Sequence, residues 1–161
     1  YQSETGEIVA YGKDDLITVT TPKTEAVAGP GKVPRNLKSL SVMSSVACCV
    51  SASSLDTEVL ENSKRILLLY ITREANSNMV TSGDELNMLN FGGAPILLET
   101  GKLEVSLKNA FGKEMKCYAL AYSGERREEI PVTVRNGKLL IQIDTAQLAN
   151  GPTPFFELVC E

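Results

Sequence analysis

Histidine and tryptophan are both missing from this chain of 161 residues. Without histidine there is no imidazole general base, no Ser–His or Cys–His nucleophilic pair and no imidazole metal ligand. Without tryptophan, the ring most often stacked on a pyranose is gone, and with aromatics at only 6% the stacking role falls to a few Tyr and Phe. Positive charge is also short. A net charge of -4 argues against nucleic acid or an anionic membrane as partner, since both attract basic patches. No apolar stretch approaches the roughly 18 residues of a membrane helix. The chain begins with Tyr1 rather than Met and shows no signal-peptide pattern, so it reads as a mature form or an excised piece of a longer polypeptide. Cys48, Cys49, Cys117 and Cys160 contain no Cys-x-x-Cys pair, which argues against a zinc site. Cys48 and Cys49 are adjacent in an apolar strand and face opposite sides, so buried free thiols are favoured over a disulfide framework.

What is present is ordinary globular composition, with 43% hydrophobic and 22% charged residues. The length suits one domain with a real core, spanning residues 1–161. Helical periodicity is nearly absent, and alternation dominates. Glu7 to Ala10 and Leu16 to Thr20 form a hairpin across Tyr11–Asp15. Gly29 to Pro34 is a loop. Leu37 to Met43, Val46 to Ser53 and Lys64 to Arg73 are strands, with a charged connection from Leu55 to Ser63. Leu97 to Thr100, Lys102 to Lys108 and Cys117 to Tyr122 are strands, and Phe111 to Glu114 turns between the last two. Glu125 to Glu129 is a charged turn or edge. Ile130 to Arg135 and Lys138 to Ile143 flank Asn136-Gly137, a hairpin turn whose two positions tolerate positive φ. A single helical turn is expected at Asp144 to Asn150, and Thr153 to Cys160 is the last strand. About eleven short strands at 8–12-residue spacing predict an all-β antiparallel sandwich, jelly-roll or immunoglobulin-like, with little or no helix.

The densest information lies in Arg65 to Leu98. The run Ile66 to Ile71 is apolar at every position, the pattern of a strand covered on both faces. In a sandwich one face meets the core, so the other needs a cover: a further layer, the Met79–Phe91 segment or a neighbouring domain. The segment after it is a polar loop of roughly twenty residues, long enough to be functional or well packed. It closes on Asn90-Phe91-Gly92-Gly93-Ala94-Pro95. Its amides (Asn76, Asn78, Asn87, Asn90) suit hydroxyl ligands, but Asn is equally a turn residue.

The candidate carboxylates for glycoside hydrolysis are Glu74, Asp84, Glu85 and Glu99, and nothing in the sequence pairs them. Asp84 and Glu85 are read as turn caps after Gly83; they could also offer oxygen ligands to Ca²⁺, without EF-hand spacing. No Gly-rich phosphate loop is present, so no cofactor is expected. Tyr118 and Tyr122 would share a face about 13 Å apart on one strand, enough for a few sugar units. Leu120 lies between them, and core packing is favoured for both. Tyr70 and Phe91 are read as core or loop anchors.

The order of several short motifs resembles that of the non-catalytic β-domains that follow the catalytic barrel in many bacterial glycoside hydrolases. Ser3-Glu4-Thr5-Gly6-Glu7 resembles their S-D-T-G-E, and Thr18 to Ala26 resembles I-D-T-P-R-T-Q-A. Ser54-Leu55-Asp56 followed by Ser63-Lys64-Arg65-Ile66-Leu67 resembles S-L-D-G, a gap, then S-x-R-I-L. Glu74-Ala75-Asn76, Asn78-Met79 and then Phe91-Gly92 with Ala94-Pro95 resemble A-E-N-T-G-M and aromatic-Gly-x-Ala-Pro. Asp144-Thr145-Ala146 and Gly151 to Glu157 resemble D-T-A and G-x-T-x-W/F-[FY]-E. The chain departs at Thr57 (for Gly), Ser77-Asn78 (for Thr-Gly), Phe91 (for Trp) and Glu25 (for Gln).

The resemblance implies an extracellular or periplasmic ancillary domain, non-catalytic by itself, that docks to the catalytic domain of its parent polypeptide and has polysaccharide as a further contact. The glycan-contacting residues would be Glu74, Asn76, Asn78, Asp84, Asn90 and Phe91. An autonomous carbohydrate-binding module, an enzyme in its own right and a cell-surface adhesion or assembly module remain as alternatives.

Overall fold

The computed structural model describes residues 1–161 and contains no α-helix. The strands are β1 (Ile8–Tyr11), β2 (Leu16–Thr20), β3 (Thr24–Gly29), β4 (Arg35–Asn36), β5 (Leu40–Ser44), β6 (Cys48–Ser54), β7 (Arg65–Ile71), β8 (Glu74–Ser77), β9 (Val80–Thr81), β10 (Met88–Asn90), β11 (Gly93–Leu98), β12 (Lys102–Lys108), β13 (Met115–Leu120), β14 (Arg126–Ile130), β15 (Val132–Arg135), β16 (Lys138–Asp144) and β17 (Phe155–Cys160). Eight of them form a larger sheet in the order β1-β2-β3-β6-β7-β17-β13-β14, and five form a smaller one, β15-β16-β12-β5-β4. The two sheets share one core, as the predicted sandwich requires.

Alternation decides which side chains enter that core. On β7, Ile66, Leu68 and Tyr70 are buried. Across the register Leu68 faces Ala52 on β6 and Phe156 on β17, both fully buried. The smaller sheet answers with Leu103, Val105 and Leu107 from β12 and Leu139, Ile141 and Ile143 from β16. Each such side chain contributes about 1.5–3 kcal/mol by leaving water.

Polar ties cross between the sheets. Glu25 on β3 points inward and is 1% exposed. The Ser39 amide donates to both its carboxylate oxygens (3.0 and 2.9 Å) and the Leu40 amide to one (2.9 Å), joining the start of β5 to the larger sheet. The Tyr70 hydroxyl hydrogen-bonds the Ser44 hydroxyl at 2.8 Å. It also explains Gly101, where any Cβ would collide with that hydroxyl. Asn109 donates to the Leu60 and Ser63 carbonyls (3.0 and 2.9 Å) and accepts from the Phe111 amide (2.8 Å), fastening the Leu60–Asn62 3-10 turn beneath the β12–β13 connection.

Several expectations change. Thr24–Gly29, read only as part of a motif, is a full strand, because its small side chains alternate Glu25 and Val27 inward. Asp144 to Asn150 has no helical turn; Asp144 Oδ1 accepts from the Ala146 amide (3.1 Å) and its carbonyl from the Gln147 amide (3.0 Å), a plain side-chain-closed turn. The charged run after Gly124 is the edge strand β14, its charges guarding an open sheet edge. Asn136 and Gly137 take φ of 53° and 72°, the left-handed pair expected of their hairpin.

β7 is covered on one face only. Leu67 and Leu69 on its other side are half-buried and Ile71 is 39% exposed, so no further layer lies over them. Tyr118 and Tyr122 are not core residues. Tyr118 sits on the outer face under the Arg126 guanidinium, 4.8 Å from its ring centre. The strand ends at Leu120, so Tyr122 lies beyond it and packs edge-on against Phe155 at 5.5 Å. All four cysteines are free thiols, and only Cys117 is fully buried.

Candidate functional site

The expected loop is a small β-lobe. At its base Thr72 donates to the Glu99 carbonyl (2.5 Å) and the Glu99 amide to Arg73 (2.8 Å). β8 and β11 pair above that clamp, with a register shift between Gly93 and Ile96. The chain then turns at Asn78, whose φ is 60°, and the Met79 amide closes the turn on the Asn76 carbonyl at 3.1 Å. β9 and β10 form a second short hairpin. Glu85, near its tip, meets Arg73 at the base with an Nη2–Oε1 distance of 2.8 Å, so the lobe folds back on itself.

Three of the six expected binding residues, Asn76, Asp84 and Asn90, have side chains occupied in holding this shape. Asn76 donates to the Phe91 carbonyl (2.9 Å), Asn90 accepts from the Gly92 amide (2.9 Å), and Ser77 donates to the Pro95 carbonyl (2.7 Å). Gly92 is obligatory here: its φ is +66°, and a Cβ would strike the Ser77 carbonyl and the Met79 amide. Asp84 accepts from the Ser82 hydroxyl and the Leu86 amide, and these bonds hold its carboxyl below the usual range. Glu74 sits exposed at the base with no side-chain bond, while Asp84 is in the tip turn. The structure thus brings Asn76 to Phe91 and leaves Glu74 apart. Phe91 anchors nothing, being 73% exposed.

The lobe carries instead a set of uncovered apolar side chains. Leu86, Leu89, Phe91, Ile96 and Leu97 are all exposed, Leu86 by 82%. The lobe's four strands pair only among themselves, β9 with β10 and β8 with β11.

On the outer face of the larger sheet lies the second concentration of chemistry. Glu157 is 4% exposed, yet the Arg65 and Arg126 Nε atoms each lie 2.6 Å from one of its oxygens. Burial pushes its pKa up, but the two guanidinium hydrogen bonds outweigh that and hold it below the ordinary carboxylate value. Arg126 also reaches Glu161 (2.8 Å), which Lys116 (2.9 Å) and Tyr118 (3.1 Å) share. A carboxylate clasped this way stays ionised and offers no proton to a leaving group. Glu25 is sealed inside the core. The thiols are unactivated: burial raises Cys48, Cys49 and Cys160 and pushes Cys117 up to about 12. No three Cys, Asp or Glu side chains gather as a metal would need.

The motif residues meet in space. Arg65 of S-x-R-I-L pairs with Glu157 of F-F-E, 92 positions later. Asp56 of S-L-D accepts from the Ser54 hydroxyl (2.9 Å) and the Glu58 and Lys64 amides (3.0 and 2.8 Å). Burial opposes ionisation there, but those bonds lower its pKa to about 2.

A groove of about 670 Å³ lies elsewhere, on the outer face of the smaller sheet. Sequence reasoning missed it. The available signal was a single outward serine on each of β5 and β12, Ser41 and Ser106, which the register sets side by side. No family model, curated protein or solved structure matches the chain.

Proposed function

We propose that the chain works as a non-catalytic ancillary domain of a polysaccharide-degrading glycoside hydrolase, seated outside the cytoplasm against that enzyme's catalytic domain. The observation that carries this reading is the β-lobe with Leu86, Leu89, Phe91 and Ile96 open to solvent. Large apolar side chains left open together on one small lobe point to a partner site rather than a free surface. The half-covered outer face of β7, with Leu67 and Leu69, runs toward the lobe's base and supports the same reading. So does the motif order shared with ancillary β-domains. Full burial of each lobe side chain is worth about 1.5–3 kcal/mol, against which association costs several.

The test produces this chain and the parent catalytic domain separately and measures their association by calorimetry. Leu89→Ser and Phe91→Ser change exposed side chains, so the fold persists. Each is expected to weaken association by roughly tenfold or more. No association between the two folded parts, or association indifferent to both substitutions, overturns the reading.

A further inference from the structure

We propose that the groove on the outer face of the smaller sheet binds a segment of neutral glycan chain. The proposal stands on the groove's own chemistry and does not require the docking reading, since groove and lobe share no residue. The sheet register lays its floor out in two rows. One row runs Asn36, Ser41, Ser106, Leu140 and Thr133 across all five strands. The next runs Met43, Glu104 and Gln142 across the central strands, with Pro34 and Pro131 among the lining at the two edges.

Three features converge on a hydroxyl-rich, uncharged occupant. First, the polar side chains here are idle: Asn36, Ser41, Glu104, Ser106, Thr133 and Gln142 make no side-chain hydrogen bond or ion pair within the protein. This contrasts with the lobe, where Asn76, Ser77, Asp84 and Asn90 are all engaged. Second, the idle groups are of the right kind. Amides and hydroxyls both donate and accept, as vicinal sugar hydroxyls do, and the Glu104 carboxylate accepts two hydroxyl donors. Third, Met43, Leu140 and the prolines put C–H surface between the polar groups, matching the mixed apolar and polar faces of a pyranose without an aromatic platform. Charge agrees with this. Glu104 is the one ionised side chain in the lining, so the groove itself holds no cation to pair with an anionic chain; Lys108, Lys138 and Arg135 stand one row beyond it on the same face. The volume of about 670 Å³ lies inside the usual range for small-ligand sites.

The probes are neutral β-1,4-linked glucose, xylose and mannose hexamers and an α-1,4-linked glucose hexamer, with an oligogalacturonate and an extended strand-forming peptide as contrasts. Each is titrated into the ¹⁵N-labelled 161-residue chain. A neutral hexamer is expected to shift the amides of Ser41, Glu104, Ser106 and Gln142. Ser106→Trp, which fills the groove from its floor, and the Glu104→Ala/Gln142→Ala pair are expected to weaken binding at least tenfold. Both leave the core untouched, which an unchanged Tm verifies. Leu89→Ser, in the lobe, is expected to leave sugar binding unchanged. The proposal fails if no neutral hexamer shifts these amides at about ten millimolar. It also fails if shifts survive Ser106→Trp, if they cluster on the lobe, or if only the peptide or the oligogalacturonate binds. Since docking is read from the lobe variants against the catalytic domain, either reading can fall without the other.

Discussion

Removing the Glu25 carboxylate tests how the two sheets are held together. Glu25 is buried, and its oxygens accept from two backbone amides, Ser39 and Leu40, at the point where the chain enters β5. Glu25→Ala leaves both amides facing a small apolar void. Each unpaired buried donor costs about 1–3 kcal/mol, so the substitution should cost about 4 kcal/mol in all. For a domain of this size that corresponds to a fall in Tm of roughly 8–16 °C. Glu25→Gln keeps the shape and one accepting oxygen, but turns an amide nitrogen toward a backbone donor; about 1–2 kcal/mol is expected. Thermal and urea unfolding of the three proteins give these differences directly. Hydrogen exchange adds a local check, since the Ser39 and Leu40 amides should lose protection first in Glu25→Ala. A loss below 1 kcal/mol for Glu25→Ala, with those amides still protected, would refute the argument that this carboxylate fastens the smaller sheet to the larger.

Three further outcomes are expected. Asn109→Ala strands the Leu60 and Ser63 carbonyls and the Phe111 amide, so a loss of about 2–4 kcal/mol should appear in urea unfolding; Asn109→Asp should do worse at neutral pH, because a carboxylate cannot donate to either carbonyl. Gly92→Ala forces a left-handed alanine, strained by about 1–2 kcal/mol, against the Ser77 carbonyl; limited proteolysis should cut the lobe first while the sandwich stays resistant. Acid stability follows from Asp56, at about 2, and Glu157, also depressed. Both folded pKa values lie below the unfolded ones, so their contribution is complete above the unfolded range near pH 4 and is lost as pH falls through the folded values. Asp56→Asn and Glu157→Gln should each flatten the decline of Tm between about pH 5 and pH 2.

The sandwich was legible because β12 alternates cleanly and β7 is one apolar run: β7, β12 and β16 each send every second residue into the core, and Asn136-Gly137 announces its own turn. β3 escaped because Thr, Ala and Gly give weak alternation; its inward members are a valine and a carboxylate, and the partner that makes a buried Glu acceptable, the Ser39 backbone, is distant in sequence. The lobe escaped for the opposite reason. Its Asn, Ser and Gly residues are turn formers, and they do form turns, but between short strands that pair with each other rather than with the sheets. Asn76 and Asn90 therefore looked like free ligand groups and turned out to be turn locks. The groove was hidden because its residues come from separate strands, and only the register sets Ser41 beside Ser106 and Glu104 beside Gln142.

The motif positions divide by what they do. Asp56, Arg65, Asp144 and Glu157 all bind backbone or one another, so the positions on which the proposed resemblance rests are largely those that build the sandwich. The departures from that pattern follow the same physics. Asn78, where the resemblance would put Gly, takes φ of 60°, a left-handed conformation that Asn tolerates better than most residues. Thr57, where the resemblance would also put Gly, sits at a position where the backbone needs no positive φ. Phe91, where the resemblance would put Trp, presents an apolar ring on an exposed face without an indole N–H donor. An exposed ring without a polar handle suits apolar contact with a protein better than oriented contact with a sugar. That contrast separates the two surfaces: the lobe, apolar and with Asn76, Ser77, Asp84 and Asn90 tied into its own turns, for the docking proposed, and the groove, whose polar side chains have no partner within the protein, for the glycan.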